Sequence, residues 1–191
     1  GCRDADEDDN DDNDPYLDTE DSCPEGVVGW TSTLFDHDGD GCHDLQEDDD
    51  DDNDQIPDTD DLCPVGMTLW FSEPASDYDS DGCHDVAEDL DIDNDGVLDE
   101  TDLCPRGMLG WTSTPLNDWD SDGCQDNFED NDDDNDGLSD WSDDCIRSAS
   151  SPQAHVDADG DGCDDNTEDD DLDNDGIKSA YDNCENDPSS D

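Results

Sequence analysis

Aspartate residues recur at every second position in short segments of this chain, and each segment ends in a further carboxylate. One group of segments reads DxDxDGCxDxxE and lies at residues 36–47, 77–88, 118–129 and 157–168. A second group reads DxDxDGxxDxxD and lies at residues 91–102 and 132–143, with looser copies at 10–21, 50–61 and 171–182. A loop of about 12 residues with oxygen ligands at positions 1, 3, 5, 7, 9 and 12 is a known way to hold Ca²⁺. The spacing therefore predicts nine calcium loops, which we call type 1 (with cysteine) and type 2.

In the type 1 loops we predict that side chains at positions 1, 3, 5, 9 and 12, and the backbone carbonyl of position 7, bind the ion. Glycine at position 6 allows a sharp turn, and glutamate at position 12 is long enough to chelate through both oxygens. The predicted ligands are Asp36, Asp38, Asp40, Cys42, Asp44, Glu47, Asp77, Asp79, Asp81, Cys83, Asp85, Glu88, Asp118, Asp120, Asp122, Cys124, Asp126, Glu129, Asp157, Asp159, Asp161, Cys163, Asp165 and Glu168.

The type 2 loops end in aspartate, whose shorter arm predicts a weaker or differently shaped site that a neighbouring loop completes. Three copies depart from the pattern, with Pro15 or Gln55 at position 6, Asn10 at position 1 or Ser179 at position 9. The predicted ligands are Asp12, Asp14, Tyr16, Asp18, Asp21, Asp50, Asp52, Asp54, Ile56, Asp58, Asp61, Asp91, Asp93, Asp95, Val97, Asp99, Asp102, Asp132, Asp134, Asp136, Leu138, Asp140, Asp143, Asp171, Asp173, Asp175, Ile177 and Asp182. Magnesium fits less well, because it keeps its waters and seldom uses a cage built of protein ligands.

The composition excludes a large apolar core and favours cations as partners. Sixty-seven acidic residues face four basic ones, the formal net charge is −63, and 27% of residues are hydrophobic. Disorder or a solvated acidic surface is the ordinary interpretation of such a chain. Neither accounts for glycine at position 6 in seven of the nine loops. Nucleic acid and anionic membranes are poor partners, because binding them requires clusters of Lys and Arg.

Ten cysteines alternate along the chain with a full period near 41 residues. Without a CxxC pair they indicate disulfides, and so an oxidising, extracellular or cell-surface location. Each type 1 loop begins 14 residues before the next type 2 loop, so we treat the two loops as one module. The segments that precede the modules, 23–35, 63–76, 104–117 and 145–156, hold most of the apolar residues, and we call them joins. The predicted repeats are 1–22 (partial), 23–62, 63–103, 104–144, 145–183 and 184–191 (the start of the next), as in part of a longer array.

The segment DNDGVLDETDLCP at residues 93–105 resembles thrombospondin type 3 repeats, and the resemblance covers nearly the whole chain. It implies a chain with little regular secondary structure, wrapped around calcium and stapled by disulfides into an elongated, solenoid-like rod. It also implies the pairs Cys23–Cys42, Cys63–Cys83, Cys104–Cys124 and Cys145–Cys163. A rival scheme, which begins with Cys2–Cys23 and ends with Cys163–Cys184, leaves no cysteine unpaired and stays open. The GWTST joins depart from that family.

We expect an extracellular, non-enzymatic structural protein that binds about nine or more calcium ions and forms a rod, stalk or filament. The alternatives are a calcium-sequestering or matrix polyanion, and a noncatalytic spacer of a larger secreted adhesin or enzyme. Catalysis is not expected, because a general acid needs a raised pKa in a dry pocket and these acids are committed to metal. Expected partners are further copies of the chain, other surface proteins and O-linked glycans on the joins.

The two ends of the chain suggest head-to-tail assembly as a further hypothesis. Placing Asp191 before Gly1 gives an imperfect type 1 loop, and in such an assembly Cys184 would bond to Cys2. Coincidence within a repetitive sequence is the alternative explanation. The four histidines are expected to be solvated. Trp30, Trp70 and Trp111 recur at one place in the joins and are expected to pack on a neighbouring loop or disulfide.

Overall fold

The computed structural model describes residues 9–31, 33–148 and 156–184. Within those ranges a single 3₁₀ turn, Thr33–Phe35, is the only helix, and the remainder is turn, bend and irregular chain. The expectation of little regular secondary structure is confirmed. No helix among the described residues is long and apolar enough to cross a membrane. The chain divides into two units, Gly1–Ile92 and Asp93–Asp191.

Eight of the nine loops show the same two closing hydrogen bonds at position 9. In the loop 77–88 the amide of Asp85 donates to the carbonyl of Ser76 (2.9 Å), and the Asp85 carboxylate accepts the amide of Tyr78 (2.9 Å). The same two contacts recur in the loops that begin at residues 10, 36, 50, 118, 132, 157 and 171. Ser179 performs this task in the last loop, where its hydroxyl accepts the amide of Leu172 (3.1 Å). The residue at position 9 thus fixes the loop backbone, and serine can make the same hydrogen bonds as aspartate there.

Left-handed backbone at positions 4 and 6 gives the loops their curvature. Position 6 glycines have φ between 89° and 102°, a region that L-residues with a Cβ enter at a cost of about 1 to 2 kcal/mol. Gln55 adopts φ 85° at that position, so the loop 50–61 keeps the same turn without glycine. Asparagine at position 4 of the type 2 loops also has positive φ, as at Asn53 (58°) and Asn135 (56°). Asparagine tolerates this region better than most residues.

Four disulfides each close one join. The pairs are Cys23–Cys42, Cys63–Cys83, Cys104–Cys124 and Cys145–Cys163, separated by 18 to 20 residues. This pairing is the one that the family resemblance implies, and the rival scheme is wrong for these eight cysteines. Cys184 is exposed and unpaired, while Cys2 lies outside the described residues and with it the hypothesis of head-to-tail assembly.

The buried apolar groups are few and sit beside the loops. Among the described residues they are the four type 1 cysteines and Trp70. The Trp30 ring lies edge-on to His43 with centroids 5.6 Å apart, and Trp70 contacts His84 in the same way at 4.8 Å. His43 is 6% exposed, so the expectation that it is solvated is wrong. His155 lies outside the described residues.

Candidate metal centres

The aspartates at positions 1, 3 and 5 converge within single loops. One carboxylate oxygen from each of Asp36, Asp38 and Asp40 lies within 4.8 Å of the others, and the same holds for Asp50, Asp52 and Asp54. In the loop 10–21 the matching group joins positions 3, 5 and 12, namely Asp12, Asp14 and Asp21. These groups contain residues that the sequence spacing selected, so the structure places predicted ligands together as acidic clusters that could hold a metal ion.

The carboxylate at position 1 of the type 1 loops also accepts hydrogen bonds from backbone amides of the turn. The carboxylate of Asp77 is fully buried and accepts the amides of Asp81 (3.2 Å) and Gly82 (3.3 Å). Asp118 makes the equivalent contacts at 3.1 and 3.4 Å. At position 5, one oxygen of Asp81 accepts the amide of Cys83 (2.8 Å), the position 7 residue. The backbone amides therefore orient the carboxylates before any ion binds.

Many of the carboxylate oxygens at ligand positions are buried without a hydrogen-bond partner. Asp54 is fully buried and its Oδ2 has none, and the same is true of Oδ2 of Asp61, which is 8% exposed. Further such atoms at ligand positions belong to Asp14, Asp36, Asp50, Asp132, Asp159, Asp171 and Asp173. An unpaired buried anion is strongly unfavourable unless a cation or a proton compensates it. The residues present therefore fit a hard divalent cation.

The carboxylates raise the pKa values of one another when no cation lies between them. Burial, followed by repulsion from Asp52, Asp54 and Asp50, raises the pKa of Asp61 to about 7. Burial and the nearby Asp122 carboxylate raise the pKa of Asp120 to about 7 in the same way. Protons and metal ions therefore compete for these groups near neutral pH.

The glutamate at position 12 of each type 1 loop turns towards the preceding type 2 loop. Oε1 of Glu88 accepts the amides of His84 (3.2 Å) and Met67 (3.1 Å). Met67 follows Gly66, whose amide donates to Oδ2 of Asp52 at 3.0 Å. A Cβ at Gly66 would lie 2.9 Å from Oδ2 of Asp52 and 3.0 Å from Oε1 of Glu88. Glu88 therefore lies beside the loop 50–61, across the join from its own loop in sequence.

The same arrangement recurs at the other three glutamates. Glu47 accepts the amide of Val27 (2.6 Å), and Glu129 accepts that of Met108 (2.8 Å). The glycines before them, Gly26 and Gly107, donate to aspartates at position 3 of the preceding type 2 loops. Glu168 accepts a hydrogen bond from the hydroxyl of Ser148, the residue in the place of these glycines. The glutamate of each type 1 loop thus lies beside the preceding type 2 loop, where a neighbouring loop was expected to contribute.

The aspartate that follows each glutamate lies beside the type 1 loop itself, and the sequence reasoning missed it. Burial, then repulsion from Asp40 and Asp38, raises the pKa of Asp48 to about 6. The carboxylates of Asp40 and Asp48 also lie within 4.8 Å of each other. Burial together with neighbouring Asp122 raises the pKa of Asp130 to about 6. The signal was available, because all four type 1 loops are followed by aspartate, at Asp48, Asp89, Asp130 and Asp169.

Asparagine at position 4 of the type 2 loops ties the two loops of a module together. The amide nitrogen of Asn135 donates to Asp120 (2.5 Å) and Asp122 (2.7 Å), which are positions 3 and 5 of the type 1 loop. Asn53 contacts Asp38 and Asp40 in the same way. These donors neutralise none of the charge but orient the carboxylates.

Position 12 of each of the first four type 2 loops lies against glycine 6 of the following type 1 loop. A Cβ at Gly123 would lie 2.5 Å from Cγ of Asp102, and a Cβ at Gly82 would meet Asp61 similarly. The amide of Leu103 also donates to the carbonyl of Asp122 (2.7 Å). Type 1 glycines are therefore needed for close approach as well as for positive φ.

Comparison of the sequence with protein-family models and with curated proteins finds no match.

Proposed function

We propose that this chain is an extracellular calcium-binding structural repeat protein without catalytic activity, in which about nine loops each bind one Ca²⁺. The observation that carries the proposal is the set of buried carboxylate oxygens at positions 1, 3, 5 and 12 that have no hydrogen-bond partner. Hard oxygen ligands of this number, on a flexible loop, suit Ca²⁺ better than Mg²⁺ or a thiophilic metal.

The proposed role of the ion is to make the fold possible. With few buried apolar side chains, the chain lacks the hydrophobic burial that usually offsets conformational entropy. Binding energy of the ions to the folded loops supplies stability in its place. Each glutamate lies beside the preceding type 2 loop, so an ion bound there would link two consecutive modules through the join. We propose that calcium in this way stiffens the array into a rod, stalk or filament outside the cell.

The four disulfides indicate an oxidising environment. In the proposed setting, extracellular calcium at about 10⁻⁴ to 10⁻³ M or above matches the affinity of extracellular calcium modules. The disulfides hold the joins closed when calcium is low, and refilling then starts from an ordered chain.

The test is a calcium titration of the non-reduced protein, starting in chelator, with ion stoichiometry and hydrodynamic radius measured on the same samples. Saturation near nine ions, with a change to a stiffer chain, is the expected result. Magnesium at equal concentration is the control and should neither saturate the loops nor stiffen the chain. Weak, unsaturating binding to a chain that stays disordered would identify a solvated polyanion instead, and saturation without stiffening would identify a calcium store.

A further inference from the structure

An additional acidic cluster lies between the two loops of the module 36–61. It contains Asp44 and Asp58, at position 9 of their loops, with Asp48 and Asp51. Potential ligand oxygens of Asp44, Asp48 and Asp51 lie within 4.8 Å of one another. The amide of Asp51 donates to Asp58 Oδ1 at 2.9 Å, so Asp58 borders the same cluster.

Asp51 is the informative member. It occupies position 2 of its loop, which is not a ligand position of a 12-residue calcium loop. Its side chain is nonetheless buried, with 8% exposed, and its Oδ1 has no hydrogen-bond partner. No lysine or arginine pairs with it in the described part of the chain. Burial, followed by repulsion from Asp58, Asp44 and Asp48, raises its pKa to about 7.

The module 118–143 has the same four acids at the same places, and there a cation is visible. Arg147 donates from Nη2 to Asp126 (2.5 Å) and from Nε to Asp133 (3.0 Å). Asp126 and Asp133 match Asp44 and Asp51 in loop position, and they are 7% and 4% exposed. The guanidinium therefore pairs with the counterparts of the half-buried Asp44 and the buried Asp51, which have no basic side chain beside them in the module 36–61.

The two remaining modules have no acidic residue at the place of Asp51. Position 2 of their type 2 loops is Ile92 or Leu172. The four modules thus present three arrangements at one place: an apolar side chain, an aspartate paired with arginine, and a buried aspartate without a basic side chain beside it.

We propose that Asp44, Asp48, Asp51 and Asp58 bind an additional divalent cation of the Ca²⁺ type, which shares Asp48 with the ion of the loop 36–47. The inference rests on the proposed function, since it requires the protein to be loaded with the same metal. In the module 118–143, Arg147 permanently replaces this ion.

The test counts calcium ions on the intact, non-reduced chain by native mass spectrometry at saturation. Asp51→Asn should lower the saturating number by one, and Asp51→Ile, which copies Ile92, should do the same. Arg147→Gln should raise it by one, because removing the guanidinium exposes the acids of the module 118–143. Asp60→Asn is the matched control: it removes the same charge from an exposed position of the same loop and should leave the number unchanged.

An unchanged number in Asp51→Asn together with no gain in Arg147→Gln would overturn the inference while leaving the nine loop sites intact. An equal loss in Asp51→Asn and Asp60→Asn would also overturn it, because net charge alone would then explain the change. Failure of the wild-type chain to saturate at the loops would instead overturn the proposed function on which the inference rests.

Discussion

Replacing Gly123 with alanine is expected to destabilise its loop much more than the same change at Gly137. Both residues occupy position 6 and have positive φ, 89° and 102°, so alanine brings backbone strain of about 1 to 2 kcal/mol to either. A Cβ at Gly137 meets nothing within 4 Å, whereas a Cβ at Gly123 lies 2.5 Å from Cγ of Asp102. Asp102 or the turn must therefore move by nearly an ångström, and overpacking of this kind costs about 1 to 3 kcal/mol more.

Amide hydrogen exchange at saturating calcium measures the loss of local stability that each substitution causes in its loop. The position 7 amides of the two loops are equivalent probes, since Cys124 donates to Asp122 (2.9 Å) and Leu138 donates to Asp136 (2.7 Å). The extra cost predicts that Gly123→Ala lowers the protection of Cys124 roughly 5- to 150-fold more than Gly137→Ala lowers that of Leu138. The amide of Leu103, bound to Asp122, should lose protection only in Gly123→Ala.

Equal losses at the two sites would refute the reasoning, because positive φ would then be the whole requirement for glycine. The double variant with Asp102→Ala separates the two effects further. Removing the Asp102 carboxylate should make the alanine at position 123 cost no more than strain alone, as a double-mutant cycle would show.

Three further predictions concern Gln55, Glu88 and pH. Gln55→Gly should stabilise the loop 50–61 by up to about 1 kcal/mol by removing left-handed strain, measured as slower exchange of the Ile56 amide; a loss of protection would contradict this. Glu88→Gln should weaken calcium binding about tenfold or more at the loop 50–61, because it removes a charged acceptor of two amides. When amide exchange is followed as a function of calcium concentration, the Ile56 amide should lose more protection than the Cys83 amide. Its control is Glu73→Gln, at an exposed position, and a larger effect at Cys83 would show that Glu88 serves its own loop. In chelator, stability should fall as pH rises from 5 to 8, since burial and neighbouring acids raise the folded-state pKa of Asp61 and Asp120 to about 7, and the folded chain then binds more protons than the unfolded one. In saturating calcium, stability should instead rise with pH, because the ion displaces those protons. Unfolding midpoints at pH 5, 6, 7 and 8, with and without calcium, test both directions of the pH dependence.

The loops could be predicted from the sequence because their geometry is local. Alternating aspartates and a glycine at position 6 determine which side chains converge, as Asp36, Asp38 and Asp40 do. Their backbone contacts also span short separations, such as that from Asp85 to Tyr78.

The contacts between loops could not be predicted from ligand spacing, because they depend on how a join folds back. The spacing of Glu88 assigns it to its own loop, yet the disulfide between Cys63 and Cys83 brings that glutamate beside Gly66 and the preceding loop. Asn53 escaped notice for the same reason, since its neighbours lie in the other loop of the module, whereas Asp48 was missed because it lies one residue beyond the 12-residue pattern.

The disulfides determine which backbone would carry load if the chain were pulled from its ends. Tension entering at Cys63 passes through the sulfur bridge to Cys83, so the join between them stays slack. The first six positions of the type 1 loop, 77–82, lie in that slack segment. The load path between bridges, as from Cys42 to Cys63, contains the whole type 2 loop 50–61. Under force the type 2 loops should therefore open first and release any ion that they hold, each lengthening the chain by at most about 3.5 Å per residue. The aromatic joins should keep their shape until the disulfides are reduced.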